Sequence, residues 1–276
     1  MSKTGTETKR GSIQVTKRIV VKVGSNTLAT SAGSLDHRYI ASLVDQLSEL
    51  AALGCEVVLV TSGAVAAGRE VLGLKRRPDD TATLQAAASI GQVALVETYA
   101  SEFGRRRLTI GQVLLTRADI ENEVSYGHAR DTFERLLGLG AVPVVNENDT
   151  VAVEELCFGD NDSLAAEVAR MISADLVVFL TDVKGLYDDN PHLNPDACLI
   201  TQMNAVDDEL IGGVRSSAGA GCEGLGSGGM ESKLRAARAL LESGITTVLC
   251  DGREANVVVD AVKGSPHGTV ISSTRD

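Results

Sequence analysis

Tryptophan is absent from the 276 residues, and phenylalanine and tyrosine bring the aromatic share to only 3%. A β-sandwich core draws on larger rings, whereas abundant Ala, Val, Leu and Gly favour closely packed α/β layers. A basic excess is also missing. The net charge is −11, which disfavours a general nucleic-acid binder, because neutralising phosphates needs a basic face. Lys75-Arg76-Arg77 and Arg105-Arg106-Arg107 each follow a helix-like segment, where a solvated end complementing the helix dipole is the commoner explanation.

Paired cysteine spacing is absent as well. Cys55, Cys157, Cys198, Cys222 and Cys250 contain no CxxC, and an odd, scattered set reads as reduced thiols of a cytoplasmic protein. The histidines His37, His128, His192 and His267 are equally dispersed, so no zinc site is expected. No apolar run approaches the roughly 20 residues of a membrane span. The polar start of the chain, up to about Thr16, lacks the apolar core of a signal peptide. It reads as a mobile tail over 1–17, followed by one domain over 18–276.

What the chain does have is alternation. Short apolar runs at Ile19–Val23, Val57–Val60, Leu108–Leu115, Ala141–Val145, Leu176–Leu180, Thr246–Cys250 and Thr269–Ser272 predict strands. Helical spacing predicts helices at Asp36–Leu53, Leu84–Phe103, Tyr126–Leu137, Ser163–Ile172, Glu231–Glu242 and Ala255–Val262. Strand and helix in turn, with nearly continuous apolar strands, imply a three-layer αβα sandwich around a mainly parallel sheet. The stretch from Gly212 to Gly229 holds eight glycines and is expected to shape a flexible loop rather than to separate domains.

In open α/β sheets ligands bind beyond the carboxyl ends of the strands, and here those ends are polar. Strand one finishes Lys22-Val23-Gly24-Ser25 and strand two Thr61-Ser62-Gly63; later strands run into Asn146-Glu147-Asn148-Asp149 and Thr181-Asp182. Lys22 interrupts an apolar strand, where an unpaired buried ammonium is costly. It is either a lysine snorkelling near the strand end or a cation held for phosphate oxygens beside Gly24. Lys233 favours the second reading. It lies in the first turn of a helix opened by Gly228-Gly229-Met230, where the dipole disfavours a cation unless an anion lies between.

Asp160-Asn161-Asp162 are ordinary helix caps by default. As function, an acid there would hold the two lysines, and Asn161 could donate to a substrate carboxylate. Ser62-Gly63 has the same double meaning, a helix cap or a hydroxyl with backbone donors for an anion. No GxxxxGK[ST] loop occurs, and Gly224–Gly229 fits GxGxxG only formally, with no clear preceding strand.

Taken in order, the segments VKVGS from Val21, VTSGAVAAGRE from Val60, GQVLLTRAD from Gly111 and ARDT from Ala129 resemble the amino acid kinase family. The match continues through VNEND from Val145, GDND from Gly159, LTDVKGLY from Leu180 and GSGGMESK from Gly226. The TSGA, NEND, GDND and GGM-x-x-K blocks point to the branch that uses ATP to phosphorylate the γ-carboxylate of L-glutamate, the first step of proline biosynthesis. The resemblance implies catalytic roles for Lys22, Lys233 and Asp162. It implies glutamate binding by Ser62, Asp149 and Asn161, with Asn146 and Gly63 as weaker candidates. ATP would be held by Lys22, Gly24, Thr181, Asp182 and the run Ser227, Gly228, Gly229, Met230, Glu231, Ser232 and Lys233.

The same resemblance implies Mg2+ carried on ATP, proline as feedback inhibitor and a homo-oligomer. It divides the domain into an amino-acid part over about 18–174 and a nucleotide part over about 175–276. Many bacterial members carry a C-terminal PUA domain, for which this sequence has no room; catalysis is not expected to need it. The alternatives are acetylglutamate, aspartate, carbamate or uridylate kinases, and a silent amino-acid or nucleotide sensor. Asp149 argues for an acceptor with a free amine, and retention of both lysines argues against a sensor.

Overall fold

A computed structural model describes residues 17–30, 33–152, 161–191, 193–217 and 229–273. The expected tail before Lys17, the Gly159-Asp160 pair, the GxGxxG run up to Gly228, and the ATP candidates Ser227 and Gly228 lie outside the described residues. So do Cys157, Cys222 and His192.

Eight strands form one sheet: β1 Arg18–Val23, β2 Glu56–Thr61, β3 Ile110–Leu115, β4 Val142–Glu147, β5 Leu176–Thr181, β6 Gln202–Met203, β7 Thr246–Asp251 and β8 Gly268–Ile271. Their order is β3-β4-β2-β1-β5-β7-β8-β6. Every neighbouring pair is parallel except β7 with β8. The predicted strands are all present, within a few residues at their ends. The two-residue β6 carries too little pattern to be read from sequence.

Helices cover both faces, as continuous apolar strands require. On one side lie α2 His37–Ala52, α3 Ala64–Val71, α4 Thr81–Arg105 and α10 Val257–Val262, packed on Ile19, Val21, Val23, Leu59 and Val178. On the other lie α6 Glu123–Gly138, α7 Asn161–Met171, α8 Asp208–Ser217 and α9 Met230–Glu242, packed on Val20, Val58, Val60, Val177 and Phe179. The short helices α1 Ser25–Leu28 and α5 Arg117–Glu121 complete the set. Among the described residues no helix is long and apolar enough to cross a membrane.

Strand parity fixes the most consequential side chain. Alternate residues of a strand face opposite sides. Val21 and Val23 face α2, so Val20 and Lys22 face α7 and α9. The expected loop from Gly212 is corrected here: Gly212 and Gly213 lie inside α8. Leu210, Ile211 and Val214 pack on the core at helical spacing, and that burial outweighs the helix penalty of two glycines.

Two further glycines bring α3 and α4 into backbone contact. A Cβ at Gly68 would stand 1.8 Å from the Ala87 carbonyl oxygen, and one at Gly91 1.8 Å from that of Ala64. No rotamer relieves such a clash, because both atoms belong to backbone. Gly91→Ala is expected to cost about 2–3 kcal/mol by forcing the helices apart, seen as a lower urea midpoint with an unchanged m-value. An unchanged midpoint would contradict this crossing. The contact bears on function because α3 begins directly after Ser62-Gly63.

Candidate active site

The strand order reverses at β1, with β2 on one side and β5 on the other. At such a switch point the outgoing connections diverge and leave a crevice beyond the strand ends. A cleft opens there, lined by Lys22, Gly24, Ser62, Gly63, Asn146, Asp149, Asn161, Thr181, Asp182 and Lys233. The polar strand ends singled out by sequence are thus brought to one place.

At its floor, Asp162 is fully buried and lies between the two lysines. Lys22 Nζ is 2.5 Å from Oδ1 and Lys233 Nζ is 3.1 Å from Oδ2. Ser232 Oγ donates to Oδ2 at 2.7 Å. Burial alone would raise the Asp162 carboxyl, but the Lys22 and Lys233 ammoniums, with hydrogen bonds from Lys22 and Ser232, hold it below the usual range. One anion between two cations leaves a positive pole, with both lysines no more than 6% exposed. The first turns of α7 and α9 supply Asp162 and Lys233, so their positive dipole ends add to it. Gly24 sits beneath: a Cβ there would be 3.4 Å from Lys22 Nζ.

The adjoining wall is a hydrogen-bonded cluster. Asn161 Nδ2 donates toward the Thr61 carbonyl at 3.0 Å, Ser62 Oγ at 2.8 Å and Asn146 Oδ1 at 3.0 Å. Asn146 Nδ2 in turn donates to Gln92 Oε1 at 2.8 Å. The amide nitrogen expected to meet a substrate carboxylate is therefore shared among three protein acceptors. The buried Asn161 Oδ1 is the atom left without a partner. Gly63 caps α3 with φ +100, a conformation that favours glycine and turns the chain sharply after Ser62.

Asp149 stands further along the cleft. Burial, then the neighbouring Glu147 carboxylate, push its carboxyl up to about 6, against an opposing pull from Arg77. A carboxylate poised this way suits a binding role better than a structural one.

On the nucleotide side, Thr181 Oγ1 donates to Asp182 Oδ1 at 3.1 Å, and Asp182 is exposed. Gly229 caps α9, Met230 packs on the core, and Glu231 pairs with Arg235 at 2.9 Å one turn on. Among the described residues, no group of three or more His, Cys, Asp or Glu is placed to hold a metal.

The cleft also contains residues to which sequence reading gave no role. Arg77 is exposed, as a solvated side chain should be, but it lies in the linker from α3 to α4 rather than at a helix end, and it lines the cleft. In the other basic cluster, Arg106 at the end of α4 binds Glu102 one turn back and Asp45 of α2. Arg69, from α3, also lines the cleft. Its signals in the sequence are its place six residues after Gly63 and its inclusion in the matched run from Val60, and which way that helix faces is decided by tertiary packing.

A cationic clamp at the switch point of a parallel α/β sheet suits an enzyme that handles phosphoryl groups. Solved structures of the same fold include UMP kinase from Ureaplasma parvum, with TM-score 0.60 and 14% identity, covering 94% of this chain and 99% of that one. The isopentenyl phosphate kinase of T. acidophilum aligns with TM-score 0.63 and 18% identity over 92% of this chain and 100% of its own. The chain belongs to the amino acid kinase family, whose model matches residues 17–251.

Within the family the similarity narrows. Glutamate 5-kinase of Thermobifida fusca is 50% identical over 96% of this chain and 67% of its own length. That of Methylococcus capsulatus is 45% identical over 95% and 69%. The chain spans about two-thirds of the length of these relatives.

Proposed function

We propose that this protein transfers the γ-phosphoryl group of ATP to the γ-carboxylate of L-glutamate, giving L-glutamyl 5-phosphate and ADP, the first step of proline biosynthesis. The observation that carries the reading is the convergence of Lys22 and Lys233 on one buried carboxylate in the cleft. The 43–50% identity to glutamate 5-kinases over most of the chain supports the choice of acceptor. It does not favour the other family members or a silent sensor.

Phosphoryl transfer needs positioning and charge stabilisation more than covalent chemistry. A γ-carboxylate oxygen attacks Pγ in line, the bond from Pγ to the β–γ bridging oxygen breaks, and ADP leaves with that electron pair. The acceptor is already ionised at neutral pH, so no general base is required. Lys22 and Lys233 neutralise the transferring group, while Asp162 and Ser232 keep the ammoniums in place. Ser62 and Asn161, supported by Gly63 and Asn146, hold the glutamate together with Asp149. Gly24, Thr181, Asp182 and the segment from Gly229 to Lys233 face the nucleotide. Magnesium enters with ATP, as part of that substrate.

Apart from Lys22, Gly24 and Asp162, which act at the phosphates, the residues before about 174 serve the amino acid and those after it the nucleotide. Proline shares the α-amine and α-carboxylate of glutamate, so it fits the same end of the cleft as an inhibitor. Val71 and Leu72 at the end of α3, and Ile90 and Val93 on α4, are exposed and offer a surface for homo-oligomer formation.

The direct test supplies MgATP, glutamate and hydroxylamine, and reads the hydroxamate formed from an acyl phosphate. Hydroxamate from acetylglutamate or aspartate in preference to glutamate would move the protein to another branch. A second check uses pH. Asp149 attracts the substrate ammonium only when ionised, so kcat/KM for glutamate falls as pH drops through about 6, approaching roughly tenfold per unit. The substrate γ-carboxylate stays ionised down to about 4.3. Asp149→Asn is expected to be weaker at pH 8 and flat between pH 7 and 5. A wild-type profile flat over that range would remove Asp149 from the binding site.

A further inference from the structure

The cleft contains two cations that phosphoryl transfer does not use, Arg69 and Arg77. Arg69 lines it beside Val65 and Ala66, on the face of α3 that follows Ser62-Gly63. Arg69, Ser62 and Gly63 thus line one cleft from the same stretch of chain. Ala66, three residues earlier on the same face, is too small to block the way. The guanidinium lies over Gly33, where a Cβ would stand 3.7 Å from Nη1.

Its bonding is incomplete. Nη2 reaches the Lys75 carbonyl at a long 3.4 Å. The buried Nε has no partner, and no carboxylate pairs with Arg69 among the described residues. A desolvated charged donor left without an acceptor is unfavourable, and such groups occur where a ligand completes them.

The other cations in the cleft have carboxylates beside them. Lys22 and Lys233 share Asp162, and Arg77 faces Asp149 beside Glu147. A free α-amino acid with a side-chain carboxylate presents one anion to the lysines, an ammonium to Asp149, and a second anion. Arg69 is the remaining cation for it. We infer that Arg69 binds the α-carboxylate of the acceptor amino acid and thereby selects acceptors whose α-carboxylate is free. This rests on the functional reading above and deepens it. A guanidinium suits the task because its planar fork matches a carboxylate in two hydrogen bonds.

The experiment compares glutamate with glutamate α-amide, which keeps the γ-carboxylate and the amine but has a neutral α-group. Each is assayed by hydroxamate formation with wild type, Arg69→Gln and Arg69→Lys, and glutamate α-amide is also measured as a competitive inhibitor. Arg69→Gln is expected to lose about 100-fold in kcat/KM for glutamate, mostly through KM. With the α-amide it should lose less than about threefold in turnover or Ki, because the interaction is already absent. Arg69→Lys, which keeps charge without the fork, should lose about tenfold with glutamate. The KM for ATP should be unchanged throughout, which also reports an intact fold. Equal losses for glutamate and its α-amide, or no loss with glutamate, would overturn the assignment. No hydroxamate from glutamate with wild type would instead overturn the functional reading, and this inference with it.

Discussion

Lys22→Met and Lys233→Met each turn over glutamate at least about 100-fold more slowly than wild type, because removing one preorganised charge donor typically costs about 3 kcal/mol in the transition state. Methionine keeps the length of the buried stem, so packing changes little. Each single variant leaves Asp162 with the other ammonium and the Ser232 hydroxyl, and the melting temperature should fall by only a few degrees. The loss should appear in kcat at saturating ATP and glutamate, since charge builds on the transferring group in the transition state. Turnover within about threefold of wild type in either variant would remove that lysine from the clamp. The double variant should not show the product of the single losses. It strands Asp162 without a cation, so its stability falls out of proportion to either change alone.

That coupling was only partly visible in the sequence. Lys22 stood out because a charge inside a β-branched run is rare, and strand parity then decided which helices it met. The central strands β1, β2, β5 and β7 were legible because parallel strands covered on both faces read as unbroken apolar runs. Lys233 was legible from the glycines before it. Asp162 as the shared partner was an expectation from resemblance, since nothing local distinguishes it from a helix cap.

Other parts were hidden for definite physical reasons. Helix α3 carries Gly68 at its centre, which local propensity counts against a helix; the close approach to Ala87 that demands it is a tertiary fact. Helix α8 was obscured by Gly212 and Gly213, although Leu210, Ile211 and Val214 kept helical spacing. Asn161 was identifiable as a candidate, but the commitment of its amide nitrogen to Thr61, Ser62 and Asn146 joins the start of α7 to the ends of β2 and β4, which only the fold brings together. Arg69 and Arg77 are arginines in helix and linker, and only the packed fold turns them toward the cleft.

The buried triad also predicts how stability responds when its anion is neutralised. Asp162→Asn keeps the shape but leaves two ammoniums, at most 6% exposed, without a counter-ion. Breaking a buried pair by removing one partner typically costs about 3–5 kcal/mol, or about 10 °C in melting temperature for a chain of this size. The pH dependence has a definite sign. The folded carboxyl of Asp162 lies below its usual value. Its contribution is therefore fully present above the unfolded pKa of about 3.9 and is lost as pH falls through the lowered folded pKa. The gap between wild type and Asp162→Asn should be constant from pH 8 to 5 and shrink only in stronger acid. Nucleotide should partly close it, because the triphosphate brings negative charge to the stranded lysines. MgATP is expected to raise the melting temperature of Asp162→Asn more than that of wild type, even though the variant turns over slowly. Equal shifts in both proteins would mean that the phosphates do not lie between Lys22 and Lys233, and the proposed direction of phosphoryl transfer would lose its structural basis.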